Sequence, residues 1–340
     1  MAYRTLFLTE RGLRHQRDAL AAAPPELDIV MLRQPDAATL RPHLADAVFL
    51  ISERSGVIDR ALIAAAPRLK MILRLGSLAH DIDLDAARAA GIVVATWPQR
   101  GVILVAEHLV MQMLALAKRL REVEAIARYA GDWGASRRTD EDTFAYNWSG
   151  RQGLGGLWQQ TIGILGFGEI GAELARRLSG WGCRVLYQRR RRLPAWQEQK
   201  LGIVYATSDE LLAESDFLVN LLPYFPTTDL ALRGEHFAAM KPGAFLVSCG
   251  SGSVLDEAAL AQAVRSGHLA GVALDTFEWE PLRPDNPLRR LAAESPAWNV
   301  LMTPHTAAGA PAAGVVPTRS DDYTPILRFL AGESVANRLA

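Results

Sequence analysis

The sequence predicts an α/β fold with two doubly wound parallel sheets, and three observations carry that expectation. Short apolar, β-rich runs alternate with longer Ala- and Leu-rich stretches along the whole chain, the pattern of parallel strands covered by helices on both faces. The run Gly166-Phe167-Gly168-Glu169-Ile170-Gly171 stands between a strand-like pattern and a helical one. At 340 residues, the chain exceeds one ordinary core and suits about two domains.

A first set of strands is expected at Thr5–Thr9, Asp28–Leu32, Ala47–Ser52, Lys70–Leu75 and Ile92–Thr96, with helical stretches such as Ile58–Ala66 and Leu84–Ala90 between them. One long helix is expected over Val102–Arg128, then an irregular surface segment over Ala130–Gln160, rich in Gly, Trp, Ser and charge. A second set follows at Thr161–Leu165, Arg184–Gln188, Phe217–Leu222, Ala244–Cys249, Gly271–Phe277 and Asn299–Thr303. Pro311–Leu330 reads as helix and is expected to return to the first domain. The boundaries are then 1–100 plus 310–340 for one domain and 101–309 for the other.

Composition excludes several classes. Lys+Arg and Asp+Glu both number 37, so no net field recruits nucleic acid or a membrane surface. Cys183 and Cys249 are too few for a disulfide framework and suit a reducing compartment. The N-terminus lacks a leader pattern, and no uncharged stretch approaches the length of about 20 apolar residues that a membrane helix needs, so a soluble, cytoplasmic chain is expected. The seven histidines show no zinc-like spacing, and no metal is expected. Gly250-Ser251-Gly252-Ser253 is not a nucleophile elbow, and Cys249 is expected to be a small buried residue rather than a nucleophile.

The glycine turn follows Ile162-Gly163-Ile164-Leu165 and opens the helical stretch Ala172–Leu178. In that context the first glycine permits a tight turn, the second lets backbone approach a diphosphate, and the third lets helix pack on strand. Amides at the helix start then face the phosphates. The next strand ends in Gln188-Arg189-Arg190-Arg191-Arg192, where NAD-binding proteins place a carboxylate for the ribose hydroxyl. Guanidinium groups bind a 2′-phosphate instead, so NADP is the expected cofactor and NAD the second choice. A solvated charge run and a nucleic-acid patch are the competing readings. The strand-end position disfavours the first and the neutral chain the second.

Over nearly its whole length the sequence resembles the D-isomer-specific 2-hydroxyacid dehydrogenases. The resemblance is carried by Asp83-Leu84-Asp85-Ala86-Ala87 with Gly91-Ile92, Val105-Ala106-Glu107-His108, the glycine turn, Leu222-Pro223, Lys241-Pro242-Gly243, Asp256-Glu257, Asp275 with Glu280-Pro281, and Thr303-Pro304-His305. It implies a flavodoxin-like substrate domain plus an NAD(P)-binding Rossmann domain. It also implies a small-molecule substrate and a homodimer paired through Val105–His108 and 130–160. By the same resemblance His305 is the acid–base residue, Glu280 its carboxylate partner and Asp275 the residue holding the nicotinamide carboxamide. Leu222, Pro223, Cys249, Gly250 and Ser251 border the cofactor. Histidine suits the acid–base role because its pKa lies near working pH.

Two departures from the family pattern bear on the substrate. The position of the family's substrate-gripping arginine is Ser251, within Cys249-Gly250-Ser251-Gly252. The loop expected to bind the substrate carboxylate reads Gly76-Ser77-Leu78-Ala79-His80, with Leu78 in place of a glycine and His80 in place of an aspartate. Arg54 and Arg100 are the candidates to replace the missing cation. The second half is also similar to phosphite dehydrogenases of the same family, but their anion site relies on the same arginine. The leading expectation is therefore a reductase of a 2-oxo acid or related small carbonyl compound. Its rival is a non-catalytic dinucleotide sensor, which the lost arginine favours and the retained His305 and Glu280 disfavour.

Overall fold

Two runs of parallel strands, most of them buried on both faces, set the positions of every loop discussed below. The computed structural model describes residues 2–53, 56–129, 131–142, 146–313, 315 and 318–340. The chain divides into two units, Met1–Val102 with Ala310–Ala340, and Ile103–Gly309.

Unit 1 holds β1 (Tyr3–Thr9), β2 (Leu27–Arg33), β3 (Phe49–Glu53), β4 (Met71–Leu75) and β5 (Val93–Thr96), with α1 (Leu13–Ala21), α2 (Ala37–Leu44), α3 (Arg60–Ala64) and α4 (Leu84–Ala89) between them. The strands run parallel in the order β2-β1-β3-β4-β5, the flavodoxin-like order. Every residue of β3, β4 and β5 is buried, the polar Ser52, Glu53, Arg74 and Thr96 among them, as strands covered on both faces are. Helices begin where a short acid caps them: Asp36, Asp59 and Asp83 accept from Thr39, Leu62 and Ala86 amides. The outer edge of β5 is covered by the C-terminal tail, with the Leu339 amide donating to Val94 O and the Val94 amide to Ala340 O, which removes an exposed strand edge.

The returning segment is shorter as a helix than the sequence suggests. Among the described residues of 311–330, a 3-10 turn at Ser320–Tyr323 and α13 (Thr324–Leu330) form. Pro311 removes a donor a continuous helix would need. A buried polar knot ties the segment down instead. Arg319 donates to Asp322 Oδ2 at 2.7 Å, Glu53 Oε1 at 2.8 Å and His15 O at 3.0 Å, and Thr9 donates to Glu53 Oε2 at 2.7 Å.

The single helix expected over Val102–Arg128 is two, α5 (Arg100–Ala117) and α6 (Leu120–Arg128), broken at Arg119 with φ 50°. The side chain of Arg119 takes Ala297 O and Glu122 as partners. With 18 residues and a mean hydropathy of 1.5, α5 is long and apolar enough to cross a membrane, although it carries Arg100 and Glu107 and half of it is buried inside the protein. Among the described residues of 130–160 no helix or strand forms. Arg151 anchors that stretch to α6 by donating to both oxygens of Glu122, at 2.7 and 3.1 Å.

Unit 2 continues with β6 (Thr161–Leu165), α7 (Glu169–Leu178), β7 (Arg184–Gln188), α8 (Ala195–Leu201), β8 (Ile203–Tyr205), α9 (Ser208–Glu214), β9 (Phe217–Asn220), α10 (Gly234–Ala239), β10 (Ala244–Ser248), α11 (Glu257–Arg265), β11 (Leu269–Leu274), α12 (Pro287–Glu294) and β12 (Val300–Met302). Their order is β12-β11-β10-β9-β6-β7-β8, all parallel. This is a Rossmann sheet that reverses direction beside β6. The sequence reading missed β8, a three-residue edge strand whose Val204 is solvent-exposed.

Replacing Arg319 with Ala strands Glu53 and Asp322 in the interior. Equilibrium urea unfolding is expected to show a loss of about 3–5 kcal/mol, and a loss under about 1 kcal/mol would mean the knot is not what holds the segment. Burial pushes the Glu122 carboxyl up, but Arg151 and Arg119 outweigh it and hold its pKa below the ordinary glutamate value of 4.5. Its stabilisation is therefore present above that value and lost as pH falls through the depressed folded value. Glu122→Gln should flatten the acid limb of a stability–pH curve below about pH 4.5, and an unchanged limb would rule this ion-pair group out.

Candidate active site

Parallel strands deliver their following loops to one edge, and in unit 2 that edge gathers most of the residues of interest. After β6, Gly166 turns with φ 83°, and a Cβ there would lie 2.8 Å from Leu221 backbone. Amides of Gly166 and Phe167 both donate to Gln188 O at the end of β7. Gly168 caps α7 without a side chain, and nothing lies within 4 Å of where its Cβ would stand. A Cβ on Gly171 would press on the Phe167 ring at 2.8 Å. Each glycine thus meets a separate demand: a left-handed turn, open space over a helix start, and packing. Open space beside uncapped helix amides suits a diphosphate.

Beyond Gln188 the four arginines separate. Arg192 donates to Glu198 at 2.8 and 2.9 Å, and the Tyr187 hydroxyl donates to Glu198 Oε1 at 2.6 Å. Arg192's hydrogen bonds are the main reason the Glu198 carboxyl is held below its usual range, while burial first and Glu198 second push the Tyr187 phenol up to about 12. Arg190 is exposed, with its guanidinium 5.9 Å over the Phe225 ring, and Arg189 is half-buried. The Arg192–Glu198 pair escaped the sequence reading because Glu198 lies in α8.

After β9, Leu222 is half-buried and Pro223 exposed. The Ser251 amide donates to Leu222 O at 2.9 Å. After β10, a Cβ on Gly250 would meet Leu222 O at 2.8 Å, and one on Gly252 would fall 1.9 Å from the Phe277 carbonyl carbon. Ser251 stands between them, half-buried, with its hydroxyl 3.5 Å from that of Ser253. Cys249 Sγ faces Gln112 Oε1 at 3.7 Å, and burial, then Asp275, drives its thiol pKa far up, so it is no nucleophile.

The imidazole of His305 is 62% exposed and meets Glu280, 35% exposed, with Nδ1 2.6 Å from Oε2. Glu280 Oε1 accepts from the Phe277 amide at 3.0 Å. The Asp256-Glu257 pair explains why that loop is ordered. Asp256 caps α11 through the Ala259 amide, and buried Glu257 accepts from the Glu278 amide and from Asn286 Nδ2. Asp275 is 1% exposed and directs its carboxylate to the loop after β12, accepting from Thr303 Oγ1 and the amides of Thr306 and Ala307.

His108, Cys249 and Asp275 bring nitrogen, sulfur and oxygen within 4.8 Å of one another, a grouping the spacing of the sequence did not reveal. Asp275 already accepts three hydrogen bonds from the loop after β12, His108 Nε2 lies 3.1 Å from Thr303 Oγ1, and Cys249 turns to Gln112.

The remaining expected residues belong to unit 1. Gly76 follows β4, where buried Arg74 pairs with Asp81 at 2.8 Å. Ser77 and Leu78 are 1% and 3% exposed, so their side chains fill the interior of the unit. Arg100 is exposed at the first position of α5. Arg54 lies outside the described residues.

Comparison with known proteins matches residues 110–307 to the model for the D-isomer specific 2-hydroxyacid dehydrogenase, NAD binding domain. The chain belongs to the D-isomer specific 2-hydroxyacid dehydrogenase family. Nicotinamide dinucleotides are the cofactor class of this domain. A D-3-phosphoglycerate dehydrogenase of Mycobacterium leprae (strain TN) is 33% identical over 94% of the chain, which spans only 56% of that relative's length. A glyoxylate reductase of Thermococcus onnurineus (strain NA1) is 37% identical over 69% of the chain and 66% of its own length. Among solved structures, a protein of Pyrococcus horikoshii OT3 superposes with a TM-score of 0.55 at 26% identity, covering 100% of this chain and 95% of that one.

The glycine geometry makes two opposed expectations. Gly168→Ala meets no atoms, so its melting temperature should stay within about 2 °C while dinucleotide affinity falls about 10-fold or more. Gly252→Ala must displace Phe277 backbone and should lower the melting temperature by about 5 °C or more. Thermal melts and fluorescence titration with NADPH read both, and equal behaviour of the two variants would refute the assignment.

Proposed function

We propose that the protein is a nicotinamide-dependent oxidoreductase that interconverts a 2-oxo acid, or a related small carbonyl compound, and its 2-hydroxy counterpart, with His305 as acid–base residue. The observation that carries this reading is the 2.6 Å contact of His305 Nδ1 with Glu280. A carboxylate can only accept, so Nδ1 holds the shared hydrogen and Nε2 is the nitrogen left to exchange a proton with the substrate oxygen. Glu280 stabilises the ring when it is charged. Such a pair has no evident use in a sensor without turnover.

Gly166–Gly171 would hold the diphosphate, Gln188, Arg189 and Arg190 the adenosine ribose, and Leu222, Pro223, Cys249, Gly250 and Ser251 the nicotinamide end. The bound dinucleotide supplies or accepts the hydride. The chain's own residues orient the reactants, and His305 gives or takes the proton.

NADP is the preferred form in this reading. Gln188–Arg192 offers no carboxylate to repel a 2′-phosphate, and with Arg192 committed to Glu198, Arg189 and Arg190 are the cations for it. Ser251 brings no positive charge to the substrate, and in this reading Arg100 or Arg54 takes the anion-binding task. Exposed Tyr129, Trp133, Tyr146, Trp148 and Trp158 support a homodimer formed through the segment after α6.

A panel of 2-oxo acids and neutral carbonyls, followed by NADPH absorbance, tests the reaction. Turnover is expected with at least one, and His305→Gln should lower kcat by about 10²–10⁴-fold. Tight NADPH binding with no substrate turned over would return the sensor reading. Arg189→Asp should move the ratio of kcat/KM for NADPH over NADH down by about 10-fold or more, and an unchanged ratio would remove Arg189 from the 2′-phosphate.

A further inference from the structure

His305 has φ 54°, a left-handed conformation that a non-glycine residue keeps only where its surroundings enforce it. The enforcing groups can be named. At the end of β11, the Asp275 backbone carbonyl accepts from the His305 amide at 2.8 Å. Asp275 Oδ1 accepts from Thr303 Oγ1 at 2.6 Å and the Thr306 amide at 2.9 Å, and Oδ2 accepts from the Ala307 amide at 2.9 Å. One residue therefore grips the chain before, at and after His305.

Behind this grip stands a second histidine. Thr303 has one hydroxyl hydrogen, and it is spent on Asp275. The 3.1 Å contact of Thr303 Oγ1 with His108 Nε2 therefore has the imidazole as donor. Burial lowers the His108 pKa against the opposing pull of Asp275, so the ring is neutral at neutral pH with its hydrogen on Nε2. The chain His108–Thr303–Asp275 is then fully ordered in donor direction, which makes each bond stronger in a site shielded from water.

We propose that Asp275 is a positioning residue which, supported by Thr303 and His108, clamps the left-handed backbone of His305 so that its imidazole meets Glu280 before any ligand binds. The role differs from the carboxamide contact the family resemblance implies for Asp275, and it rests on the reading of His305 as the acid–base residue. A carboxamide contact acts on cofactor affinity, whereas a clamp acts on the proton-transfer step.

Thr303→Val removes the hydroxyl and nearly keeps the shape, Thr303→Ser keeps the hydroxyl, and Asp275→Asn changes the carboxylate itself. With NADPH and whichever carbonyl the panel identifies, Thr303→Val should lower kcat about 10-fold with the NADPH Kd, from fluorescence titration, within about 2-fold. Thr303→Ser should keep kcat within about 3-fold of the parent. In the protein without added cofactor, amide hydrogen exchange over 305–309 should accelerate about 10-fold or more in Thr303→Val and Asp275→Asn, but not in Thr303→Ser, with the rest of unit 2 unchanged. Loss of NADPH affinity in Thr303→Val with kcat retained would overturn the clamp, as would exchange that stays at the parent rate. If no carbonyl is turned over, the acid–base reading fails, and the exchange experiment still decides the clamp.

Discussion

Backbone lying directly against backbone is the constraint on which the reactive edge of unit 2 depends. Gly166 rests on Leu221, Gly250 on Leu222 and Gly252 on Phe277, at separations that admit no Cβ. These contacts fuse the loops after β6, β9, β10 and β11 into one layer, and a parallel sheet is what brings all four to the same side. Ser251 is held between two such glycines. Its placement is therefore fixed by its neighbours, and the chemistry of that position can change without moving the edge around it. That is a physical reason why this position can hold a serine while the fold is kept.

Most of the sheet architecture was legible in the sequence because buried parallel strands are mainly apolar: β3, β4, β9 and β10 each open on at least three consecutive apolar residues. The failures have local causes. Residues 203–205 form a strand too short and too exposed to generate a pattern. The break at Arg119 was invisible because Lys118, Arg119 and Leu120 all favour helix, and the left-handed residue is held by tertiary partners, Ala297 O and Glu122. Over Pro311–Leu330 the anchor is instead a buried cation, Arg319, that draws partners from β3 and α1, a tertiary arrangement that local pattern does not carry.

Within the site, sequence motifs identified the residues but not their allegiances. Four consecutive arginines look equivalent along the chain, and folding makes them different. Arg192 is neutralised by Glu198, six residues on, and Arg190 lies over an aromatic ring. Only the position of α8 beside the end of β7 creates that distinction, and local spacing carries no information about it. The same holds for His108, which α5 brings to Thr303 and Asp275, and for Cys249, set beside Asp275 by the pairing of β10 with β11. Motif reading finds groups that react, because they must be of a given type. It is poor at finding groups that hold, because many residue types can.

The depth of the polar groups follows this division. His305 and Glu280 are substantially exposed, as a pair must be if it is to exchange protons with a substrate that comes and goes. Asp275 is sealed from water, where a hydrogen bond is electrostatically stronger and a missing one costs more. Reversing the arrangement would serve neither purpose: a buried imidazole could not reach substrate, and an exposed aspartate would lose its amide partners to solvent. A left-handed histidine therefore persists at this edge because the carboxylate beneath it has no better partner than the loop it restrains.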